Sequence, residues 1–129
     1  SIFWSDESTG TPCKGRIDAI GDYLIDIKTT EDASYYGFMR SIRTYGYDVQ
    51  AAFYVDGYFQ ATGKSKGFVF IAIEKKPPYA IGVYQLDEIG MSGGYQRYCK
   101  GLEVMKKCQA EDYWPSYTDN ISTIFMDEE

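Results

Sequence analysis

The stretch GRIDAIGDYLIDIK, residues 15–28, decides how this chain is read. Apolar residues approach Gly21-Asp22 from both sides, which predicts two strands, over residues 14–20 and 23–29, with those two residues making the turn. Antiparallel pairing across that turn sets Asp18 beside Asp26. Side chains alternate along a strand, so Asp26 and Lys28 share one face while Ile25 and Ile27 share the other. Two carboxylates and an ammonium on a largely apolar hairpin are costly unless something uses them. A hard divalent cation would, because Mg²⁺ takes one or two carboxylates and keeps waters for chemistry. An Asp-X-Lys pair on a solvated strand is the plainer reading of this motif in isolation.

Working outward, residues 32–59 read DASYYGFMRSIRTYGYDVQAAFYVDGYF. Asp32 or Ser34 is placed to cap a helix in which Phe38, Met39, Ile42 and Tyr45 form the apolar face, and Gly46 ends it. Asp48 then caps a second helix running to about Thr62 and closed by Gly63. Gln50 and Tyr54 lie four apart and share a face of that helix. Residues 68–74, FVFIAIE, are a near-continuous apolar run, as expected of a strand covered on both faces. After the turn KKPPY, residues 80–86 return as a partner strand. A final helix is best defined over residues 95–109, where Tyr95, Tyr98, Leu102 and Met105 mark one face and Gly90, Gly93 and Gly94 weaken its start. Residues 2–5 suit a strand, and DESTGTP after them suits a turn.

Taken in order and spacing, GRID (15–18), LIDIKTT (24–30), YGYDVQAAFYVDGY (45–58), FVFIAIE (68–74) and the late helix ending in EDYWP (111–115) resemble the nuclease domain of RecE-type exonucleases (exonuclease VIII), within the PD-(D/E)XK superfamily. The resemblance spans residues 14–115. It implies an α/β (α+β) fold with a mixed central sheet flanked by helices, in one domain over residues 1–129. It also implies a metal-dependent exodeoxyribonuclease that degrades one strand of linear duplex DNA from its 5′ end for recombination.

On that resemblance, Asp18, Asp26 and the backbone carbonyl of Ile27 are metal ligands for Mg²⁺ or Mn²⁺. Lys28 sits beside the attacking water, and Gln50 and Tyr54 orient water or substrate. Helix packing is the competing explanation for Gln50 and Tyr54, since a buried tyrosine finds a hydroxyl partner in any case. Arg16, Arg40 and Arg43 are candidates for DNA-phosphate contacts, and Tyr35, Tyr36 and Tyr58 for stacking on bases. The implied partners are double-stranded DNA ends and a single-strand annealing recombinase, with a homo-oligomeric ring as the assembly.

One departure stands out. Relatives begin with a helix whose acidic or histidine side chain completes the metal site; this sequence starts after that point and contains 0 histidines. Asp6 and Glu7 are the substitutes at hand, although a turn holds a ligand less rigidly than a helix does. A catalytically weak or silent DNA-binding fragment of the fold therefore stays open as an alternative. So does a related nuclease of different polarity, of the CRISPR-adaptation or helicase-linked type, which shares the GRxD, DxK and QxxxY skeleton. A purely structural role would leave the charged hairpin face unexplained.

Composition bounds the rest. At 129 residues and 44% hydrophobic content the chain supports one core. It shows no run long and apolar enough for a bilayer and no signal segment at its start, so a cytoplasmic, membrane-free protein is expected. Cys13, Cys99 and Cys108 lack Cys-X-X-Cys spacing, which suits free thiols better than a zinc site or a four-cysteine iron–sulfur cluster. A net charge of −6 is awkward for a polyanion-binding protein. Acids gathered at the metal site and the terminal MDEE would leave Lys14, Arg16, Lys28, Arg40 and Arg43 near the active face, and a ring could focus the same charges.

Overall fold

A computed structural model describes residues 1–127 and places β4 (Tyr23–Thr30) and β5 (Gly67–Glu74) side by side in parallel at the centre of the molecule. Glu128 and Glu129 of the acidic terminus lie outside the described residues. Parallel neighbours need a long crossover, and here two helices supply it: α1 (Tyr35–Tyr45) and α2 (Tyr47–Thr62). Short antiparallel strands extend the sheet on both sides, β3 (Ala19–Ile20) beside β4 and β6 (Ile81–Tyr84) beside β5, giving the mixed order β3-β4-β5-β6. A separate ribbon of β1 (Ile2–Ser5) and β2 (Pro12–Gly15) precedes it, and α3 (Glu88–Glu111) packs along α2. The fold is α+β, a mixed sheet flanked by helices, as the sequence pattern implies.

Local chemistry explains the breaks. Ser34 accepts a hydrogen bond from the Gly37 amide at 3.2 Å and so starts α1. Gly46, in the left-handed region at φ 69°, both ends α1 and starts α2, so it takes the capping role the sequence suggested for Asp48. Asp48 instead lies in the first turn of α2, buried and paired with Arg97 of α3. The predicted strand 14–20 is two strands in fact: β2 turns away to pair with β1, and residues 16–18 lie outside both ladders. α3 begins at Glu88, capped by Asp87, well before the predicted start. Its Gly94 is required rather than weakening, because a methyl there would collide with the Asp48 carbonyl where α3 crosses α2.

The core lies between the sheet and its helices: Leu24, Phe68, Phe70 and Ala72 from the strands meet Phe38 of α1 and Ala51 and Tyr58 of α2. Leu24, Phe38 and Phe70 are fully enclosed, and each such side chain contributes about 1.5–3 kcal/mol of burial. α2 is apolar almost all round because its other side meets α3 and the β1–β2 ribbon, where Trp4 lies flat enough on Gly57 that an added Cβ would come within 2.5 Å. The far face of the sheet is different. Ile27, Ile81 and Val83 are half exposed or more, and Val69, Ile71 and Ile73 only partly buried, so β5 is not covered on both faces as its apolar run suggested.

Candidate active site

Alternation along β4 turns Leu24, Asp26, Lys28 and Thr30 toward the helices, so Asp26 enters the core side of the sheet and is 5% exposed. The hairpin register continues past Ala19↔Ile25 to bring Asp18 level with Asp26. There Asp18 Oδ2 accepts the Ile27 amide at 2.8 Å. The Ile27 amide and carbonyl leave the strand on the same edge, so that carbonyl opens on the Asp18 side as well. Asp18, Asp26, Ile27 and Lys28 are thus brought to one place, by strand pairing alone.

Electrostatics there are unfinished. Lys28 Nζ pairs with the buried Asp26 Oδ2 at 3.0 Å, and that oxygen has no hydrogen bond beyond this ion pair and its contact with Asp18 among the described residues. Burial lifts the Asp26 carboxyl above its ordinary range, the Lys28 ammonium pulls it back, and Asp18 adds to the rise; the net direction is upward. Lys28 has a second anchor, the ring of Tyr47, whose centroid is 4.3 Å from Nζ. Tyr47 packs in turn against Phe38 and Phe70, at centroid distances of 6.0 Å and 6.1 Å.

A buried carboxylate next to a second carboxylate, with the Ile27 carbonyl on the same side, fits a hard divalent cation, which would neutralise the repulsion between the two acids. The set is small: among the described residues no group of three or more His, Cys, Asp or Glu side chains converges on one point. Asp6 does not complete it. Its carboxylate is spent inside the β1–β2 turn, accepting from the Thr9 amide at 2.9 Å and the Thr9 hydroxyl at 2.8 Å, while Glu7 is exposed in the same turn.

The remaining predicted residues scatter. Gln50 and Tyr54 line a groove of about 510 Å³ between α2 and α3 with Lys14 and Leu102, and Asp18, Asp26 and Lys28 are not among its walls. Tyr54 also packs on the core, its ring over Gly15 and 6.4 Å from that of Phe68. Arg16 lies exposed in the break between β2 and β3, so a strand face shared with Asp18 does not exist. Arg40 pairs with Asp32 at 3.5 Å and lines a polar depression by β4, whereas Arg43 lines an apolar one beside β6; the two do not form one surface. Tyr35 and Tyr36 are exposed, but Tyr58 is a core residue. Tyr47 was missed by sequence reasoning, although its spacing of three and seven from Gln50 and Tyr54 puts it on their side of the helix. The three cysteines are free thiols.

Comparison with known proteins follows the same lines. The family described as a PDDEXK-like domain of unknown function (DUF3799) matches residues 1–125. A crystal structure of a "Putative exonuclease" from Eubacterium rectale superposes with a TM-score of 0.65 at 17% identity, covering 94% of this chain. The chain spans 53% of that protein's length, and the likeness is one of fold. No curated protein matches the sequence. Among the described residues, no helix is long and apolar enough to cross a membrane.

Proposed function

The chain belongs to the PDDEXK-like family DUF3799, and on that premise we propose that it is a Mg²⁺- or Mn²⁺-dependent exodeoxyribonuclease that hydrolyses linear duplex DNA from 5′ ends, of the RecE type. One observation carries the reading: a buried Asp26 carboxylate set between a second carboxylate, Asp18, and the Lys28 ammonium. Burying two neighbouring carboxylates against one ammonium leaves a negative charge unbalanced, which a purely structural site has no reason to retain.

Asp18, Asp26 and the Ile27 carbonyl would hold the cation. When bound, it polarises the scissile phosphate and makes water acidic enough to attack. Asp26, shielded from solvent, keeps its charge directed at that point. Lys28 does two things: it orients the attacking water, and it offsets negative charge growing on the phosphoryl oxygens. The Tyr47 ring is a second partner for the ammonium beside Asp26 and helps to hold it in place at the site. Duplex ends, a strand-annealing recombinase and a ring assembly are the partners this reading brings with it.

Incubation with Mg²⁺ and end-labelled linear duplex is expected to release 5′ mononucleotides, and Asp26→Ala to abolish release. An Asp26→Ala protein as active as the wild type would remove the assignment. Release from 3′ ends would move the chain to the related nucleases of other polarity. A second reading, a silent DNA-binding module, is favoured by the two-carboxylate set; DNA binding without cleavage in either metal would select it.

A further inference from the structure

The tight link between α1 and α2 builds something the cleavage reaction does not by itself require. Tyr45 is the last residue of α1 and Tyr47 the first of α2, and the left-handed Gly46 between them folds the two rings together, centroids 5.6 Å apart and planes at 26°. The inner ring is wedged between Phe70 and Lys28. The outer ring, Tyr45, is 69% exposed, and Tyr47 is its ring neighbour among the described residues. Phe70, Tyr47 and Tyr45 therefore run as a line of neighbouring rings from the core to the surface, ending in an exposed tyrosine.

Both tyrosines line a polar depression of about 480 Å³ with Thr29, Ser41, Thr44 and Arg40. That is the size of a small-ligand site; Lys28 is not among its walls, and the Tyr47 ring, which lines it and lies under the Lys28 ammonium, is the link between them. Its cations are already matched, Arg40 by Asp32 and Lys75 by Glu31, so it offers a polyanion little net attraction. What it offers is a rigid, pre-stacked ring one ring's depth from the catalytic lysine.

We propose that Tyr45, backed by Tyr47, is a stacking platform for an unpaired base at the end of the DNA strand whose phosphate lies at Asp26 and Lys28. The proposal rests on the nuclease reading above and deepens it: the substrate end is frayed, and its base is gripped by stacking, not by a basic groove. Stacking accepts every base because every base has a π-face, so the platform gives grip without sequence preference.

The test uses duplexes with 2-aminopurine at successive 5′ positions, bound to cleavage-deficient Asp26→Asn protein, together with steady-state cleavage by otherwise wild-type protein. One or two terminal positions are expected to be quenched on binding. Tyr45→Ala should abolish that quenching, weaken binding about tenfold and raise KM by a similar factor with kcat little changed, while Tyr45→Trp restores all three. Tyr45 is exposed, so its variants are expected to melt with the wild type. Cleavage by wild-type protein with quenching and KM unaltered in Tyr45→Ala would overturn the platform and leave the nuclease reading standing. Wild-type protein that neither binds nor cleaves DNA would overturn both.

Discussion

Replacing Tyr47 with leucine tests whether an aromatic ring, and not only a carboxylate, positions the Lys28 ammonium. A cation over a ring face gains about 0.5–1 kcal/mol when exposed and about 2 when desolvated. The Lys28 side chain is 19% exposed and 4.3 Å from the ring centroid, toward the desolvated end, so about 1.5 kcal/mol is at stake. Without the ring, Asp26 at 3.0 Å is the remaining partner, and the ammonium is held less firmly where substrate would meet it. On the nuclease reading kcat falls about tenfold with KM nearly constant, since 1.4 kcal/mol is a factor of ten. Leucine also loses ring contacts to Phe38 and Phe70, so cleavage is to be measured well below the melting temperature, with circular dichroism as the check on folding. Tyr47→Phe keeps the ring face and should retain wild-type kcat. A leucine variant with wild-type kcat, or a phenylalanine variant as slow as leucine, would refute the reasoning.

Two further outcomes follow from the packing. Because the folded protein holds the Asp26 proton more tightly than the unfolded chain, the stability this group contributes is present below its ordinary pKa of 3.8 and is lost as pH rises through the raised value. Metal-free Asp26→Asn is therefore expected to be more stable than wild type at pH 7, by about 1 kcal/mol in urea denaturation, and equal to it near pH ~3. Equal stability at both pH values would show that the carboxylate is not strained. Gly94→Ala gains up to about 1 kcal/mol of helix propensity but forces α3 off the Asp48 carbonyl, an overpacking cost at the upper end of about 1–3 kcal/mol. Calorimetry should record a melting temperature lower by roughly 6 °C; an unchanged value would mean that the helices part without cost.

How much of this was legible in the chain depends on the range of the interaction. Ser34, Gly46 and Gly63 announce helix ends because capping is decided within four residues. Asp18 beside Asp26 was legible because a hairpin register is local too. The break at residues 16–18 was not, since it depends on β2 finding β1 and not β4. Tyr45 and Tyr58 show the same limit from opposite sides. Helical spacing put Tyr45 on the core face, but α1 ends there and its ring swings out to meet Tyr47; Tyr58 read as a surface ring but lies under the sheet beside Phe68 and Leu24. Gly94 read as a helix breaker because the backbone it must admit is 46 residues away, at Asp48.

The net charge, at first the strongest objection to a nucleic-acid ligand, takes on a different meaning once the cations are located. Lys28, Arg40, Lys75 and Arg97 each face a carboxylate, so these four offer a polyanion little net attraction. Phosphate contacts by free cations make binding strongly salt-dependent, through release of counterions. A site whose neighbouring cations are paired has two other sources of affinity for a strand end. One is a bound divalent cation, which reverses the sign of the field at Asp18 and Asp26 where the phosphate must sit. The other is stacking, which is indifferent to charge and which the proposed Tyr45 platform would supply. An acidic chain that binds DNA by these means would hold it at the reacting end and not along its length, which is the selectivity an exonuclease needs.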